Sequence, residues 1–313
     1  MTILCALLLL YSLDEGKPVK DAAGEIVELD LSGAWVSDAD MAQVAQLRHL
    51  RKLNLSHTRI TDSGLEHLKP LENVTDLDCY YAEYLTEEGV AHLHNWKHLE
   101  RLNLRGTKVT SKVFDSLAKL TSLRSLDISS TQIEDEGIEA LTSLTKLESL
   151  AIGGNRLSGA ALPLLKLLPS LVNLDVGGIQ RVDSGLWGLA LTAENLTRLS
   201  ELKQLRSLNL SGATLSDRGV DRPGSPEAER SELRDLSKLA ALVNLERLDL
   251  SRLPVTSESL QPLAKLPKLR ELRLGLAAGV DDSALPVLLK IKSVYISGSK
   301  MSPQALAKLS SGS

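Results

Sequence analysis

Residues 50–73 read LRKLNLSHTRITDSGLEHLKPLEN, a stretch that combines two kinds of local pattern. In its first part, Leu53 and Leu55 are apolar, whereas Lys52 and Asn54 beside them are polar. Successive side chains of a β-strand point to opposite faces of the sheet, so this alternation predicts a half-buried strand.

The second part of the same stretch predicts a short helix. The Thr61 hydroxyl can cap a helix N-terminus, and Asp62 follows where the helix dipole favours a negative charge. Leu65, Leu68 and Leu71 then recur at every third position, which suits one buried face of an α-helix or of a tighter 3₁₀ segment.

The same pattern begins eleven times along the chain. Counted from a leading apolar residue, each repeat has apolar residues at +3 and +5, a small residue near +8 and an apolar residue near +10. The leading positions are Ile26, Leu50, Val74, Leu99, Leu123, Leu147, Leu171, Leu205, Leu245, Leu269 and Ile291. Most intervals are 24 or 25 residues, and the exceptions are 34, 40 and 22. Such a period predicts a solenoid of stacked units.

Position +8 adds a more specific signature, because it carries Thr58, Thr107, Thr131 and Asn155 in four of the repeats. With the leucine spacing, this pattern resembles the leucine-rich repeat family, in the bacterial and F-box-associated type of about 24 residues per repeat, but without an F-box. The resemblance covers residues 26–309. It implies an α/β fold, a single solenoid domain of about eleven repeats, with parallel strands on a concave face and helices on a convex face.

Composition and motifs limit the classes of function. The 36 Lys and Arg against 40 Asp and Glu give a net charge of −4, which disfavours a nucleic-acid partner. We find no nucleophile elbow and no phosphate-binding loop, so we expect neither an enzyme nor a bound cofactor. The two cysteines form no disulfide or zinc pattern, and no acid or cysteine completes a metal site with His92, His94 and His98.

Residues 1–25 form an N-terminal apolar segment that allows two interpretations. The apolar run within residues 1–13 is too short to cross a membrane as a helix, and it lacks the basic start and cleavage site of a signal peptide. The segment is either a signal peptide nonetheless, which predicts an exported or periplasmic protein, or a cap helix on a cytoplasmic protein. Residues 310–313 form a polar tail.

Two neighbouring repeats are longer than the others. The repeat from Leu171 gains residues near 187–204, and the repeat from Leu205 gains a charged, turn-rich segment near 221–236. These insertions are either tolerated surface additions or, if they pack on each other, a second contact surface or hinge.

Side chains at +2, +4 and +6 are expected on the concave face. Position +4 carries mostly acids and amides, which predicts a ladder of hydrogen bonds between strands or a stripe that binds a partner or a cation, although no aspartate cluster has the spacing of a calcium loop. Position +6 is mostly small, but Tyr80 and Arg105 interrupt it, and these residue types dominate interface hot spots. The predicted binding centre comprises Tyr80, Tyr81, Arg101 and Arg105, with Lys52 and His57 beside it. Alternatively, Tyr81 and Tyr84 fill the space around the 25-residue repeat.

The sequence therefore predicts a non-catalytic protein–protein interaction module that binds a protein partner on its concave face. We expect a monomer that binds no nucleic acid and has no membrane-spanning segment. The alternative is a structural spacer in an exported or cell-envelope protein, in which the repeats supply length rather than a contact surface.

Overall fold

The computed structural model describes residues 16–182, 185–213 and 236–311. It divides into two compact units, Met1–Glu148 and Ser149–Ser313, which are described in turn. In both units each repeat contributes one short strand to a parallel sheet, which confirms the strand predicted for every repeat.

The first unit contains six strands in chain order. They are β1 (Lys17–Lys20), β2 (Ile26–Asp30), β3 (Lys52–Asn54), β4 (Asp76–Asp78), β5 (Arg101–Asn103) and β6 (Ser125–Asp127). β1 pairs antiparallel with β2, whereas β2 to β6 are parallel neighbours. The register aligns equivalent positions of successive repeats, so that Leu53 lies beside Leu77 and Leu77 beside Leu102.

The second unit repeats this arrangement and adds one hairpin. Its strands are β7 (Ser149–Ala151), β8 (Asn173–Asp175), β9 (Gln180–Val182), β10 (Gly185–Trp187), β11 (Ser207–Asn209), β12 (Arg247–Asp249), β13 (Glu271–Leu274) and β14 (Ser293–Ile296). The parallel order is β7, β8, β11, β12, β13, β14, while β9 and β10 pair antiparallel as a separate hairpin.

Short helical segments return the chain between strands. The α-helices are α1 (Asp38–Val44), α2 (Asp62–His67), α3 (Glu87–Ala91), α4 (Phe114–Leu117), α5 (Ala193–Ser200), α6 (Leu285–Leu288) and α7 (Pro303–Ser311). The 3₁₀ segments are His92–Asn95, Ser111–Val113, Ile138–Ser143, Leu162–Leu167, Ser237–Ala241, Gln261–Lys265 and Asp282–Ala284. Both kinds of segment suit the three-residue apolar step that the sequence shows.

The apolar positions of the repeat form the core of each unit. Leu53, Leu77 and Leu126, all at +3, are at most 2% exposed, and the leading residues Leu50 and Leu123 are fully buried. Position +8 has a polar role inside this core, because its side chain donates to the carbonyl oxygen of residue +5. These hydrogen bonds measure 2.6–2.9 Å at Thr58, Thr107, Thr131 and Asn155.

An acid of one repeat binds the N-cap threonine of the helical segment in the next repeat. The Asp38 carboxylate accepts hydrogen bonds from the Thr61 backbone N–H at 2.8 Å and from its hydroxyl at 2.6 Å. Gly64 leaves room for this carboxylate, because a Cβ there would lie 2.6 Å from Asp38 Oδ1. The equivalent pairs in the following repeats are Asp62 with Thr86 and Glu87 with Thr110.

The described part of the N-terminal segment contains one short strand. Residues 17–20 form strand β1, which pairs with the first edge of the parallel sheet through a turn at Gly24, whose φ is +85°. The exposed Lys and Pro residues of β1 are typical of an edge strand that resists further pairing. Residues 1–15 carry the apolar run on which both the signal-peptide and the cap-helix interpretations depend, and they lie outside the described residues.

The two long repeats are described in part. The first contains the β9–β10 hairpin and then α5, whose Leu196 and Leu199 are buried, so its additional structure begins before residue 187. Helix α5 contacts the 3₁₀ segment Ser237–Ala241 of the second long repeat. Residues 214–235, which include nearly all of the predicted insertion at 221–236, lie outside the described residues, as does the end of the polar tail.

Candidate functional site

The predicted centre lies at the ends of β3, β4 and β5 in the first unit. Positions +2, +4 and +6 of the repeats lie on the strand side, and we call this side the open face. Lys52 and Arg101 occupy +2, and Tyr80 and Arg105 occupy +6 of their repeats. His57 and Tyr81 follow at +7, where the chain leaves the strand.

His57, Tyr80 and Tyr81 pack together and form what we call the aromatic cluster. The rings of Tyr80 and Tyr81 meet edge to face with centroids 4.7 Å apart, and His57 meets Tyr80 edge-on at 5.1 Å. His57 stacks on Tyr81 at 5.8 Å with 17° between the ring planes. Aromatic pairs at these separations contribute about 0.5–1.5 kcal/mol each beyond their burial. The structure therefore brings three of the six predicted residues into contact.

Position +7 has a left-handed backbone in all eleven repeats, with φ between 51° and 85°. Glycine, which tolerates this region, fills six of these positions. The five other residues are His57, Tyr81, Ser130, Arg252 and Leu276. A left-handed conformation costs a residue with a Cβ roughly 1–2 kcal/mol, so the aromatic cluster places two such residues in neighbouring repeats.

Backbone hydrogen bonds hold the aromatic cluster in place. The His57 N–H donates to the Tyr80 carbonyl oxygen, and the Tyr81 N–H donates to that of Arg105, both at 2.8 Å. The Tyr81 ring lies against Gly106, where a Cβ would come within 2.9 Å of ring atoms. The rings therefore form a fixed platform at the end of the strands.

The repeat that starts at Val74 has 25 residues, and its additional residue lies outside the aromatic cluster. Buried Ile60 follows Thr58 by two residues, whereas the equivalent buried Leu85 follows Ala82 by three. The extra length therefore lies in the loop around Tyr84, whose side chain is half exposed rather than filling the interior.

Lys52 and Arg101 form ion pairs with acids on the preceding strand. Lys52 Nζ lies 2.6 Å from Glu28 Oε1, and Arg101 Nε lies 2.7 Å from Asp76 Oδ2. All four side chains are at least a quarter exposed, and pairs of this kind contribute about 0–1 kcal/mol. Sequence reasoning missed these pairs because it compared the +4 residues of successive repeats with one another but did not compare the +2 residues.

Arg105 differs from these two cations. Its side chain is half-buried, and its Nε atom is buried without a hydrogen-bond acceptor among residues 16–182, 185–213 and 236–311. Its backbone is firmly held, because the Arg105 N–H donates to Asn103 Oδ1 at 3.0 Å.

The +4 column forms local turns more than a ladder between strands. In eight repeats the oxygen of the +4 side chain accepts a hydrogen bond of 2.8–3.0 Å from the +6 backbone N–H of its own repeat. The expected bond between strands occurs at Asn209, whose Nδ2 donates to Asp175 Oδ2 at 2.8 Å. The nearest donor to a +4 side chain is the backbone N–H two residues later in the chain, as in an Asx turn.

Two cation–aromatic pairs follow position +8 in the first four repeats, and sequence reasoning did not identify them. Trp35 is 79% exposed, with the Arg59 guanidinium 4.8 Å from its ring centroid. Two repeats later, Lys108 Nζ lies 5.4 Å from the ring of Tyr84. The signal in the sequence was the alternation of aromatic and cationic residues just after +8 in the first four repeats.

The described residues offer no evident metal or nucleophilic centre. Across them, no group of three or more His, Cys, Asp or Glu side chains is placed to hold a metal ion, and this includes His92, His94 and His98. Burial raises the pKa of the Cys79 thiol, as does the charge of Asp78, so the thiol stays protonated and unreactive. In the same part of the chain, no helix has both the length and the apolar character that crossing a bilayer requires.

Comparison with known proteins agrees with this repeat architecture. A family model of the leucine-rich repeat region matches residues 26–295. An internalin (InlF) from Listeria monocytogenes is similar in structure, with 18% identity and a TM-score of 0.54 over 96% of this chain and 91% of that chain. An internalin C2 from the same organism has 21% identity and a TM-score of 0.46 over 86% and 92%. Among curated protein sequences, none matches.

Proposed function

Because the chain belongs to the leucine-rich repeat family, we propose that it is a non-catalytic protein-interaction module whose partner docks on the open face of the first unit. The proposed centre is the aromatic cluster together with Arg105. The observation that carries the proposal is the mutual contact of His57, Tyr80 and Tyr81, because no other aromatic rings meet in the described part of the chain.

The residue types and their rigidity favour binding at this position. Tyrosine and arginine are enriched among the residues that contribute most to protein interfaces. The rings are already held by one another and by Gly106, so a partner that contacts them orders few additional side chains. A preorganised surface loses less conformational entropy on binding, and more of the contact energy is available as affinity.

Backbone strain at the cluster supports the same assignment. Six of the eleven repeats use glycine at +7, which shows that the fold accepts glycine there. His57 and Tyr81 keep side chains at this position in two adjacent repeats despite the cost of the left-handed backbone. Strain of this kind persists where the surrounding structure holds it in place, and it is concentrated at functional sites.

Lys52 and Arg101 have a smaller role in this proposal. Their charges are compensated by Glu28 and Asp76, and each pair is partly exposed to solvent. We place them at the margin of the contact area, where charged residues affect association rate and salt dependence more than affinity.

Capture of a partner by the full chain tests the proposal. We expect Tyr80→Ala and Arg105→Ala each to reduce the amount of captured partner by about tenfold or more, the loss typical of an interface hot spot. The matched control is Tyr295→Ala, which removes an exposed open-face tyrosine of the second unit. Circular dichroism and thermal unfolding check that every variant is folded.

Two results would contradict the proposal. If Tyr295→Ala abolishes capture while Tyr80→Ala does not, the contact surface lies in the second unit. If no specific partner is captured by the folded chain under any condition, the spacer function predicted as the alternative gains support.

A further inference from the structure

Gly106 is constrained in two ways at the +7 position of its repeat. Its backbone is left-handed, with a φ of +74°, and this angle alone favours glycine, as it does in five other repeats. The second constraint comes from the neighbouring repeat. A Cβ at Gly106 would lie 2.9 Å from three atoms of the Tyr81 ring, which are Cγ, Cδ1 and Cδ2.

The Tyr81 ring could not avoid such a Cβ by a small adjustment. Its Cγ atom is bonded directly to the Tyr81 Cβ, so it moves only when the χ1 angle or the backbone changes. The backbone is held on both sides, because the Tyr81 N–H donates to the Arg105 carbonyl oxygen at 2.8 Å and the Gly106 N–H donates to that of Ser129 at 3.1 Å. A methyl group at position 106 therefore requires the Tyr81 side chain to leave its present χ1 angle.

A change of χ1 at Tyr81 would disturb the whole aromatic cluster. Two of the three ring contacts in the cluster involve Tyr81, which meets His57 at a centroid distance of 5.8 Å and Tyr80 at 4.7 Å. Only the contact between His57 and Tyr80 does not include it. The arrangement of the cluster thus depends on the absence of a side chain at Gly106.

We infer that Gly106 is a positioning residue of the proposed binding centre. The Tyr81 ring rests against its Cα, and this contact fixes the arrangement of the three rings that the partner meets. The inference rests on the proposed function and adds to it a residue that has no side chain to offer the partner. It also separates Gly106 from glycines at +7 that satisfy only the backbone angle.

Gly33 provides a matched control for this inference. It also lies at +7 in the first unit, its φ is +70°, and a Cβ there would have no atom within 4 Å. Gly33→Ala and Gly106→Ala therefore both place an alanine in the left-handed region, but only the second brings a methyl group against a ring. The difference between the two variants isolates the contact with Tyr81.

Nuclear magnetic resonance of the full chain, deuterated except at tyrosine and histidine, reports the ring arrangement directly. We expect Overhauser contacts of the Tyr81 ring with the rings of His57 and Tyr80 in the wild type and in Gly33→Ala. Gly106→Ala should lose them. If Gly106 served only the stability of the fold, its substitution would lower stability and leave these contacts unchanged.

A double-mutant comparison checks that the Tyr81 ring is the cause. We expect Gly106→Ala to lower the urea midpoint of unfolding more than Gly33→Ala does. This excess should disappear when both substitutions are made in a Tyr81→Ala background, because the colliding ring is then gone. An excess that persists in that background would show that the methyl group meets something other than Tyr81, and it would overturn the inference.

Capture of the partner that the wild-type chain binds gives the functional readout. We expect Gly106→Ala to capture less partner than Gly33→Ala by about fivefold or more, at a temperature at which both variants are folded. Circular dichroism of the two variants confirms that they are folded under the conditions of capture.

The inference is overturned if Gly106→Ala keeps the ring contacts of Tyr81, or if it captures as much partner as Gly33→Ala. Failure of the wider proposal is recognised separately. If Tyr80→Ala abolishes capture and Gly106→Ala does not, the binding centre stands and the positioning role is wrong. If capture is independent of both Tyr80 and Arg105, the proposed function is wrong and the inference falls with it.

Discussion

At the scale of single residues, the backbone angle at +7 explains much of the pattern. In every repeat a left-handed residue follows the strand at +7, and glycine occupies this position in six repeats. The glycines are visible in the sequence, but His57, Tyr81 and three other residues interrupt the column, so it did not emerge as part of the repeat. Two of these five interruptions, His57 and Tyr81, lie in the proposed binding centre.

Ser130 tests whether this backbone angle carries a real cost. Its φ is 53°, so Ser130→Ala retains the penalty of a Cβ, whereas Ser130→Gly removes it. We expect the glycine variant to exceed the alanine variant in free energy of unfolding by about 1 kcal/mol, the reverse of the usual order. Urea unfolding of both variants measures the difference, and an alanine variant of equal or greater stability would contradict it.

Side-chain partners on the open face were predictable only in part. An acid or amide at +4 was correctly expected to be satisfied by hydrogen bonds, but its partner is usually the +6 N–H of the same repeat. The pairing of Lys52 with Glu28 follows from the +2 column once the strands are known to be parallel. The unpaired Nε of Arg105 depends on rotamers and could not be read from the sequence.

At the scale of elements, the junction between helical segments explains the stretch Thr61-Asp62-Ser63-Gly64. Thr61 caps its own helix, accepting from the Ser63 N–H, and is itself held by Asp38 of the preceding repeat. Sequence reasoning predicted the threonine cap and the favourable charge at the next position. It did not predict that Asp38 contacts Thr61 of the following repeat, or that Gly64 makes space for the Asp38 carboxylate.

Gly64→Ala tests this junction. In an ordinary helix the change would stabilise the protein by about 1 kcal/mol, because glycine is a poor helix former. Here the new Cβ would lie 2.6 Å from Asp38 Oδ1, so we expect a loss of about 1–3 kcal/mol in urea unfolding. Ser63→Ala, at an exposed position of the same helix, should change stability by less than about 0.5 kcal/mol. Stabilisation by Gly64→Ala would show that the junction contributes nothing.

Glu87 makes the same junction sensitive to acid. Burial raises the pKa of Glu87, but hydrogen bonds from its own backbone N–H and from the Thr110 hydroxyl and N–H outweigh it, and the net pKa lies below its usual range. A lowered folded-state pKa stabilises the protein above the unfolded value of about 4.3, and this contribution disappears as the pH falls further.

We therefore expect Glu87→Gln to lower the free energy of unfolding at pH 7, and we expect the difference from wild type to shrink as the pH falls below about 4.3 and the wild-type carboxyl becomes protonated. Urea unfolding across this pH range compares the two proteins. Glu88→Gln, an exposed change in the same turn, is the control. A difference between wild type and Glu87→Gln that stays constant down to low pH would contradict the role given to this carboxylate.

At the scale of the whole molecule, the period predicted most of the architecture. Eleven leading positions predicted the parallel strands and the buried leucine positions, because each repeat can bury its apolar residues only against its neighbours. Strand β1 was not predicted, since Lys17–Lys20 is fully exposed and has no apolar alternation. It forms because the first parallel strand would otherwise leave an unpaired edge.

The grouping of the candidate site also followed from the period. Residues about 24 apart lie on adjacent strands, so Tyr80 and Arg105 were expected to be neighbours, and the register agrees. Contact of His57 with both tyrosines depends on left-handed angles that the sequence pattern did not specify. The contacts of Arg59 with Trp35 and of Lys108 with Tyr84 could be identified only from the side-chain positions in the structure.

Photo-crosslinking from Tyr80 tests the central claim most directly. A benzoylphenylalanine introduced at Tyr80 of the full chain should crosslink to the captured partner on irradiation, while the same residue at Tyr295 of the second unit should not. Both side chains are accessible on the open face, so the comparison separates location from exposure. A crosslink from position 295 with none from position 80 would contradict the account.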